Sequence, residues 1–275
     1  MTEASQILRN AGVENPRRDA RILIGQVFDG DQDIVIRDPD KKLTAGECDT
    51  FMALVDRRRR REPVSHILGR REFWSRDFIV TSDVLDPRPD SETLVEAVLK
   101  KTEDQLGDYR LLDLGTGSGC LLLTLLSELP HSTGLGVDFS EAALDIANKN
   151  ALSLNLQDRA CFLKSDWFSE VEGVFDIILS NPPYIDPEDP HLQQGDVRFE
   201  PLSALIADNQ GMADIEQIAR NARTYLNPNG WLLFEHGYDQ GPVSRKLLKQ
   251  LGYTNVETIQ DLGARDRVTL GCWRG

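Results

Sequence analysis

The spacing of apolar positions changes character twice along the chain. Residues 1 to about 62 carry them at helical intervals: Ile7, Leu8 and Ala11, then Ala20, Leu23, Ile24 and Val27, then Phe51, Leu54 and Val55. Each set falls on one face of a 3.6-residue helix. Asn15-Pro16 reads as a cap followed by a proline at the first helical position, and Glu62-Pro63 ends the third helix. From 64 to about 86 the segment VSHILGRREFWSRDFIV alternates and is rich in β-branched and aromatic residues. That pattern predicts a hairpin, or a short two-stranded connector. DPRPD at 86–90 then interrupts the chain, and ETLVEAVLKK begins a helix behind an Asp90 or Ser91 cap.

After residue 108 strands and helices alternate. RLLDL (110–114), TGLGVDF (133–139), CFLK (161–164), FDIILS (175–180) and WLLFEH (231–236) read as strands. CLLLTLLSEL (120–129), 140–155, 211–226 and 241–251 read as helices. Such alternation implies a parallel, doubly wound sheet. The last two strands, NVETIQ and RVTLGCW, have no helix between them and so predict an antiparallel hairpin at one edge.

Composition narrows the classes. The chain has 275 residues, 40% apolar and 28% charged, which suits one large α/β domain plus a small helical one. No apolar run approaches the roughly 18 residues that a membrane span needs. MTEASQILRN has neither a basic n-region nor an apolar core, so no secretory leader is expected. Cys48, Cys120, Cys161 and Cys272 are far apart, and the four histidines are scattered. The expectation is a cytoplasmic protein with reduced thiols and no metal. A net charge of −14 argues against phosphate-tracking contacts with nucleic acid. The run Arg57 to Arg61 is a local exception. It reads as a solvated helix end, or else as a contact for a protein or RNA partner.

The candidate chemistry lies at strand ends. LDLGTGSG puts Gly115, Gly117 and Gly119 between a strand and its helix, where glycines permit a tight turn and close approach to a ligand. The spacing is neither that of a dinucleotide fingerprint nor that of a P-loop, and the loop holds no basic residue to meet a pyrophosphate. Asp138 ends the next strand, where an acid can accept from ribose hydroxyls. An adenosyl ligand without phosphates fits these features. In SDWF (165–168), Asp166 could accept from an adenine amine while Trp167 contacts the ring. SNPPYI (180–185) ends an apolar strand with two prolines, which cannot donate to a ladder. It presents Asn181, the Pro182 carbonyl, Pro183 and the ring of Tyr184 as rigid acceptors beside an aromatic surface.

A sheet with this rim resembles the class I S-adenosylmethionine-dependent methyltransferases, and NPPY resembles their amino-methylating branch. The likeness extends over nearly the whole chain to the peptide chain release factor N(5)-glutamine methyltransferases (the HemK/PrmC family). It is carried by NPRRDARIL (15–23), REPVSHILGRREFW (61–74), DPRPDSETLVE (86–96), DLGTGSG, SDWF, SNPPYI, GDVRFEPLSAL (195–205), FEHG (234–237) and DRVTLG (266–271). The resemblance implies a Rossmann-like, mostly parallel seven-stranded sheet with an antiparallel edge hairpin. The expected division is a helical substrate-recognition domain over 1–75, a β-hairpin linker over 76–90 and the methyltransferase domain over 91–275. It also implies S-adenosylmethionine as cofactor, held by Asp113, Gly115, Thr116, Gly117, Ser118, Gly119, Asp138, Asp166, Trp167 and Asn181. The substrate would be the glutamine of the Gly-Gly-Gln tripeptide in class I release factors, with its amide held by Asn181, Pro182, Pro183 and Tyr184. Asn181, Pro182 and Tyr184 would be catalytic, and the protein a monomer.

Two positions depart from the family pattern. Asp86 stands where an aliphatic residue is usual before PRP, and Ser91 where threonine is commoner. Arg88 and Glu92 are expected to form a supporting ion pair. Two rival readings share parts of this pattern: an adenine-N6 methyltransferase acting on DNA or RNA, and a non-catalytic scaffold that binds the cofactor. The acidic total counts against the first and the intact NPPY against the second.

Overall fold

The computed structural model describes residues 1–102, 104–193 and 195–275. The chain divides into two compact units, Met1–Arg70 with Gln193–Phe199, and Arg71–Leu192 with Glu200–Gly275.

In the first unit, α1 (Thr2–Asn10), α2 (Pro16–Val27), the short α3 (Ile34–Arg37), α4 (Ala45–Arg59) and α5 (Val64–Leu68) enclose a small core. Leu8, Val13, Leu23, Ile24, Phe51, Val55 and Ile67 are buried there. Asn15 does precede α2 with Pro16 at its first turn, but its side chain makes no capping bond. The start of α4 is better secured. Thr44 and Glu47 form a reciprocal capping box, Thr44 N donating to Glu47 Oε2 at 2.7 Å, an arrangement that contributes about 1 kcal/mol.

The five arginines are neutralised within this unit. Arg58 is buried, donating to Asp19 at 2.7 Å and lying 2.8 Å from Asp196. Arg61 pairs with Asp196 at 3.0 Å, Arg57 with Glu62, and Arg59 and Arg60 with Asp56. The reading as a solvated helix end therefore holds for Arg59 and Arg60, whereas Arg58 is part of the interior. A guanidinium can be buried there because it has two carboxylate partners.

The segment 64–86 differs from expectation. Residues 64–68 are helical: Pro63 stands at the N-cap of α5, and Gly69, at φ 69°, ends it in the left-handed conformation. The hairpin comprises β1 (Arg70–Phe73) and β2 (Arg76–Ile79). Its turn is Trp74-Ser75, with φ of 52° and 57°, as a two-residue hairpin loop requires. The hairpin thus lies mostly before residue 76, and 80–88 runs without a strand to a 3-10 turn at Pro89–Ser91 and to α6 (Glu92–Lys101).

The second unit then continues with β3 (Arg110–Leu114), α7 (Cys120–Glu128), β4 (Thr133–Asp138), α8 (Glu141–Ser153), β5 (Ala160–Lys164) and β6 (Phe175–Ser180). After a long irregular stretch come α9 (Asp208–Gly211), α10 (Ala213–Tyr225), β7 (Leu226–Glu235), α11 (Gly241–Gln250), β8 (Thr254–Gln260) and β9 (Asp266–Cys272). β7 begins five residues before the expected 231, since Leu226 already pairs with Phe175 ahead of a register shift. The seven strands are ordered β5-β4-β3-β6-β7-β9-β8. The first five are parallel, and β9 runs antiparallel to β7 and β8. Both faces are covered, Leu111, Leu123, Leu125 and Leu179 joining one core and Leu112, Ile178, Ile218 and Phe234 the other. That explains why the strands read as continuous apolar runs.

Register sets the position of the site. Leu114 pairs with both Val137 and Ser180, and Ser180 with Phe234. The next residues along these four strands, Gly115, Asp138, Asn181 and Glu235, therefore share one rim. Chain order reverses between β3 and β6, and ligands of doubly wound sheets bind outside the carboxyl ends at such a point.

Candidate active site

A cleft of ≈ 460 Å³ opens at this rim. Its walls include Gly115, Thr116, Gly117, Ser118, Asp138, Asp166, Trp167, Asn181 and Pro183 of the expected residues. Asp113, Gly119, Pro182 and Tyr184 do not line it.

The glycine loop is held chiefly by backbone bonds. Gly115 and Thr116 N donate to Val137 O at 2.9 Å, and Gly119 N to Thr116 O at 2.8 Å. Gly117, at φ 55°, has nothing within 4 Å of where a Cβ would stand, so its open side forms a cradle. Gly119 serves packing instead, since a Cβ there would lie 3.1 Å from Leu123 and 3.3 Å from Ala147. Asp138 joins loop to loop, its Oδ2 accepting from Gly117 N and its Oδ1 from Ser140 N, both at 2.9 Å. Beneath them Asp113 is buried; its Oδ2 accepts from Thr116 Oγ1 at 2.7 Å and its Oδ1 has no partner. Burial pushes its carboxyl up to about 7, opposed by the Thr116 bond and reinforced by Asp138. Burial raises Asp138 as well.

Two aromatic rings also border the cleft. Trp167, in the left-handed region at φ 49°, puts its ring 3.5 Å from the Cβ position of Gly115, and its indole N–H donates toward Asp214. Phe139 is 73% exposed and also lines the cleft, a residue the sequence reading passed over. Cys120 borders the cleft too, but burial pushes its thiol up to about 12, so it remains protonated.

Asn181 enters the cleft from the end of β6, its Nδ2 donating to Ser91 Oγ at 3.3 Å. Tyr184 is placed otherwise than the substrate-facing role would suggest. Its ring packs against the second core, and its hydroxyl donates to Glu235 Oε1 at 3.2 Å. Burial first, then the Glu235 charge, raise that hydroxyl above its ordinary range, so it keeps its proton. Arg88 pairs with Glu200 at 2.8 Å, and Glu92 accepts from Trp74 N instead, which corrects the expected Arg88–Glu92 pair. Glu200 also accepts from Asp86 N at 3.1 Å. Asp86 is itself buried, 3.7 Å from Arg71. An acid therefore replaces the usual aliphatic residue where a cation is near.

The charged residues lining the cleft are Asp83, Asp138, Asp166, Asp214 and Arg88. Four acids against one base favour a cationic ligand and disfavour phosphates. With the cradle at Gly117 and two aromatic faces, the residues fit an adenosyl sulfonium.

Residues 1–69 match the PrmC N-terminal domain, and residues 73–196 the methyltransferase small domain. The release factor glutamine methyltransferase of Vibrio cholerae is 45% identical over 273 residues, covering 98% of this chain and 94% of its relative. That of Escherichia coli K12 is 46% identical over 259 residues, covering 94% and 92%. The chain belongs to the release factor glutamine methyltransferase family. A methyltransferase structure from Pyrococcus furiosus, 18% identical with a TM-score of 0.54 over 73% of this chain and 90% of that one, shares the fold. Like the rest of its family, this methyltransferase depends on S-adenosylmethionine. Sequence reasoning gave no role to Glu235, Arg267, Glu200 or Asp214, all of them near the rim. Glu235 had one visible signal, an acid closing an otherwise apolar strand, WLLFE.

Proposed function

We propose that this chain methylates the side-chain amide nitrogen of the glutamine in the Gly-Gly-Gln motif of class I release factors. The observation that carries the reading is Asn181, whose amide is anchored through its nitrogen to Ser91 and so offers its oxygen to a cleft suited to an adenosyl sulfonium. S-adenosylmethionine supplies an electrophilic methyl group on sulfur. Gly115 to Ser118, Asp138, Asp166, Trp167 and Asn181 would hold it, with Asp113 and Gly119 supporting the loop from behind.

An amide nitrogen is a poor nucleophile because its lone pair is delocalised. Asn181 Oδ1 and the Pro182 carbonyl would each accept one N–H of the glutamine amide. That fixes the nitrogen with its lone pair aimed along the transfer line and favours loss of conjugation. Pro182 and Pro183 hold the acceptors in place before substrate arrives. Pro183 borders the glutamine, and Tyr184 fixes the turn from beneath. The methylated nitrogen becomes strongly acidic, and its proton leaves to water without a dedicated base. The helical residues 1–70 are proposed to recognise the release factor in the cytoplasm, with the enzyme acting as a monomer.

Methyl transfer from labelled S-adenosylmethionine to purified class I release factor tests this reading. Label on the intact factor, absent when the Gly-Gly-Gln glutamine is replaced, is the expected result. Label on nucleic acid but not on the factor would overturn it.

A further inference from the structure

Asn181 can serve as an acceptor only if its amide stands one way round. Oxygen toward the cleft meets a substrate N–H, whereas nitrogen toward the cleft would set donor against donor. The two ends of the amide have nearly the same shape, so something behind Asn181 must choose between them.

The choice can be traced to a buried carboxylate. Glu235 is 1% exposed and ends β7 beside Asn181 in the parallel register. Its Oε1 accepts the Tyr184 hydroxyl, while its Oε2 is buried with no hydrogen-bond partner. Burial raises its carboxyl above the usual range and Asp90 adds to that, while Ser91 as a donor, Arg267 by its charge and the Tyr184 hydroxyl favour the charged form. Ser91 occupies the N-cap position of α6, yet its side chain makes no capping bond, so its hydroxyl is free for this task.

A carboxylate accepts only. With Glu235 ionised, the Tyr184 hydroxyl donates to Oε1 and the buried, unpartnered Oε2 is open to the proton of Ser91. The lone pairs of Ser91 Oγ are then left for Asn181, which must present its NH₂ group to them. We propose that Ser91 and Glu235 are positioning residues that fix the orientation of the Asn181 amide and so leave Oδ1 as the acceptor in the cleft. The inference rests on the reading of Asn181 as the amide acceptor. It extends that reading to Ser91, which lines the cleft beside Asn181, and to Glu235, which does not line it.

The test uses the full-length protein and the variants Ser91→Ala, Ser91→Thr, Glu235→Gln and the Ser91→Ala/Glu235→Gln pair. Methylation kinetics on release factor are compared with S-adenosylmethionine affinity from equilibrium titration. The Ala variant should lower kcat roughly 10- to 100-fold, because a misdirected acceptor acts like a misplaced one. The Thr variant, which keeps the hydroxyl, should stay within about threefold of wild type, and the paired variant should lose no more than the worse single one, as residues sharing one function do. Cofactor affinity should change less than about threefold in all four, since the loss acts on the acceptor that meets the substrate amide. Wild-type kcat in Ser91→Ala, alongside an inactive Asn181→Ala, would overturn the inference while leaving the acceptor role standing. Losses that multiply in the paired variant, or a loss confined to cofactor affinity, would overturn it too. Wild-type protein that fails to methylate release factor would remove the underlying reading, and this inference with it.

Discussion

The two halves of the cleft are held by different means. On the β3–β4 side the loop 115–119 is fixed by backbone donors and by Asp138, which reaches Gly117 N and Ser140 N. These partners lie within the β3–β4 unit itself, at most 22 positions apart. On the β6–β7 side Asn181 depends on Ser91, 90 positions away, and Tyr184 on Glu235, 51 positions away. Each of those contacts is between side chains. A backbone-built wall has few atoms that a substitution can remove, but little room for an added Cβ. A wall built from side chains loses function when single atoms are removed. The first half should therefore govern cofactor affinity and the second turnover.

The largest expected effect tests the second half. Asn181→Ala should reduce kcat roughly 100- to 1,000-fold, comparable with loss of one preorganised transition-state partner. Cofactor affinity, measured by titration, should change only a few-fold. A collapse of affinity instead would show that the halves are not separate.

A smaller, complementary effect is expected in the first half. An alanine at position 117 must adopt φ near 55° and fills the open cradle. The left-handed backbone should cost about 1–2 kcal/mol of fold stability, while the Cβ in the cradle should weaken S-adenosylmethionine binding roughly tenfold, about 1.4 kcal/mol. Turnover at saturating cofactor should stay within about threefold of wild type if the wall acts on binding alone. A kcat loss equal to that of Asn181→Ala would break the division.

The same contrast decides what could be read from the sequence. The glycine loop, SDWF and NPPY are runs of consecutive residues, and the βαβ rhythm alone carries them to one rim. Asp86–Glu200, Arg88–Glu200 and Tyr184–Glu235 meet only once the strand order and the 200–206 segment are in place, so no local pattern announced them. Chain proximity accordingly points Arg88 to Glu92, whereas its partner is Glu200. The short helix at 64–68 has no legible sequence signal of its own, because Val64, His66 and Leu68 alternate like a strand and five residues are too few to show a helical period. Pro63 and Gly69, which do bound that helix, were the usable signals. Arg58 was hidden in a run whose other members are more exposed; its burial follows from Asp19 and Asp196, distant in the chain.

The finest test concerns Asp113, the acid beneath the backbone-built half. Its carboxyl is raised from 3.8 to about 7 by burial. Below pH 4 it is protonated in both folded and unfolded chains and contributes no slope. Between about 4 and 7 the unfolded chain has released the proton while the folded one retains it. The unfolded state then binds fewer protons, so stability falls as pH rises, by at most about 1.4 kcal/mol per pH unit. Above 7 both states are ionised and the slope disappears. Asp113→Asn removes this group while Asp138 titrates in both proteins. The stability of the variant minus that of wild type should therefore rise between pH 4 and 7 and level off above, as read from denaturant midpoints across pH. A flat difference would mean that Asp113 is ionised throughout. Saturating S-adenosylmethionine should move the wild-type window to lower pH, because a sulfonium in the cleft favours the charged carboxylate. No such movement is expected with an uncharged adenosyl compound, which ties the shift to charge and not to filling the cradle.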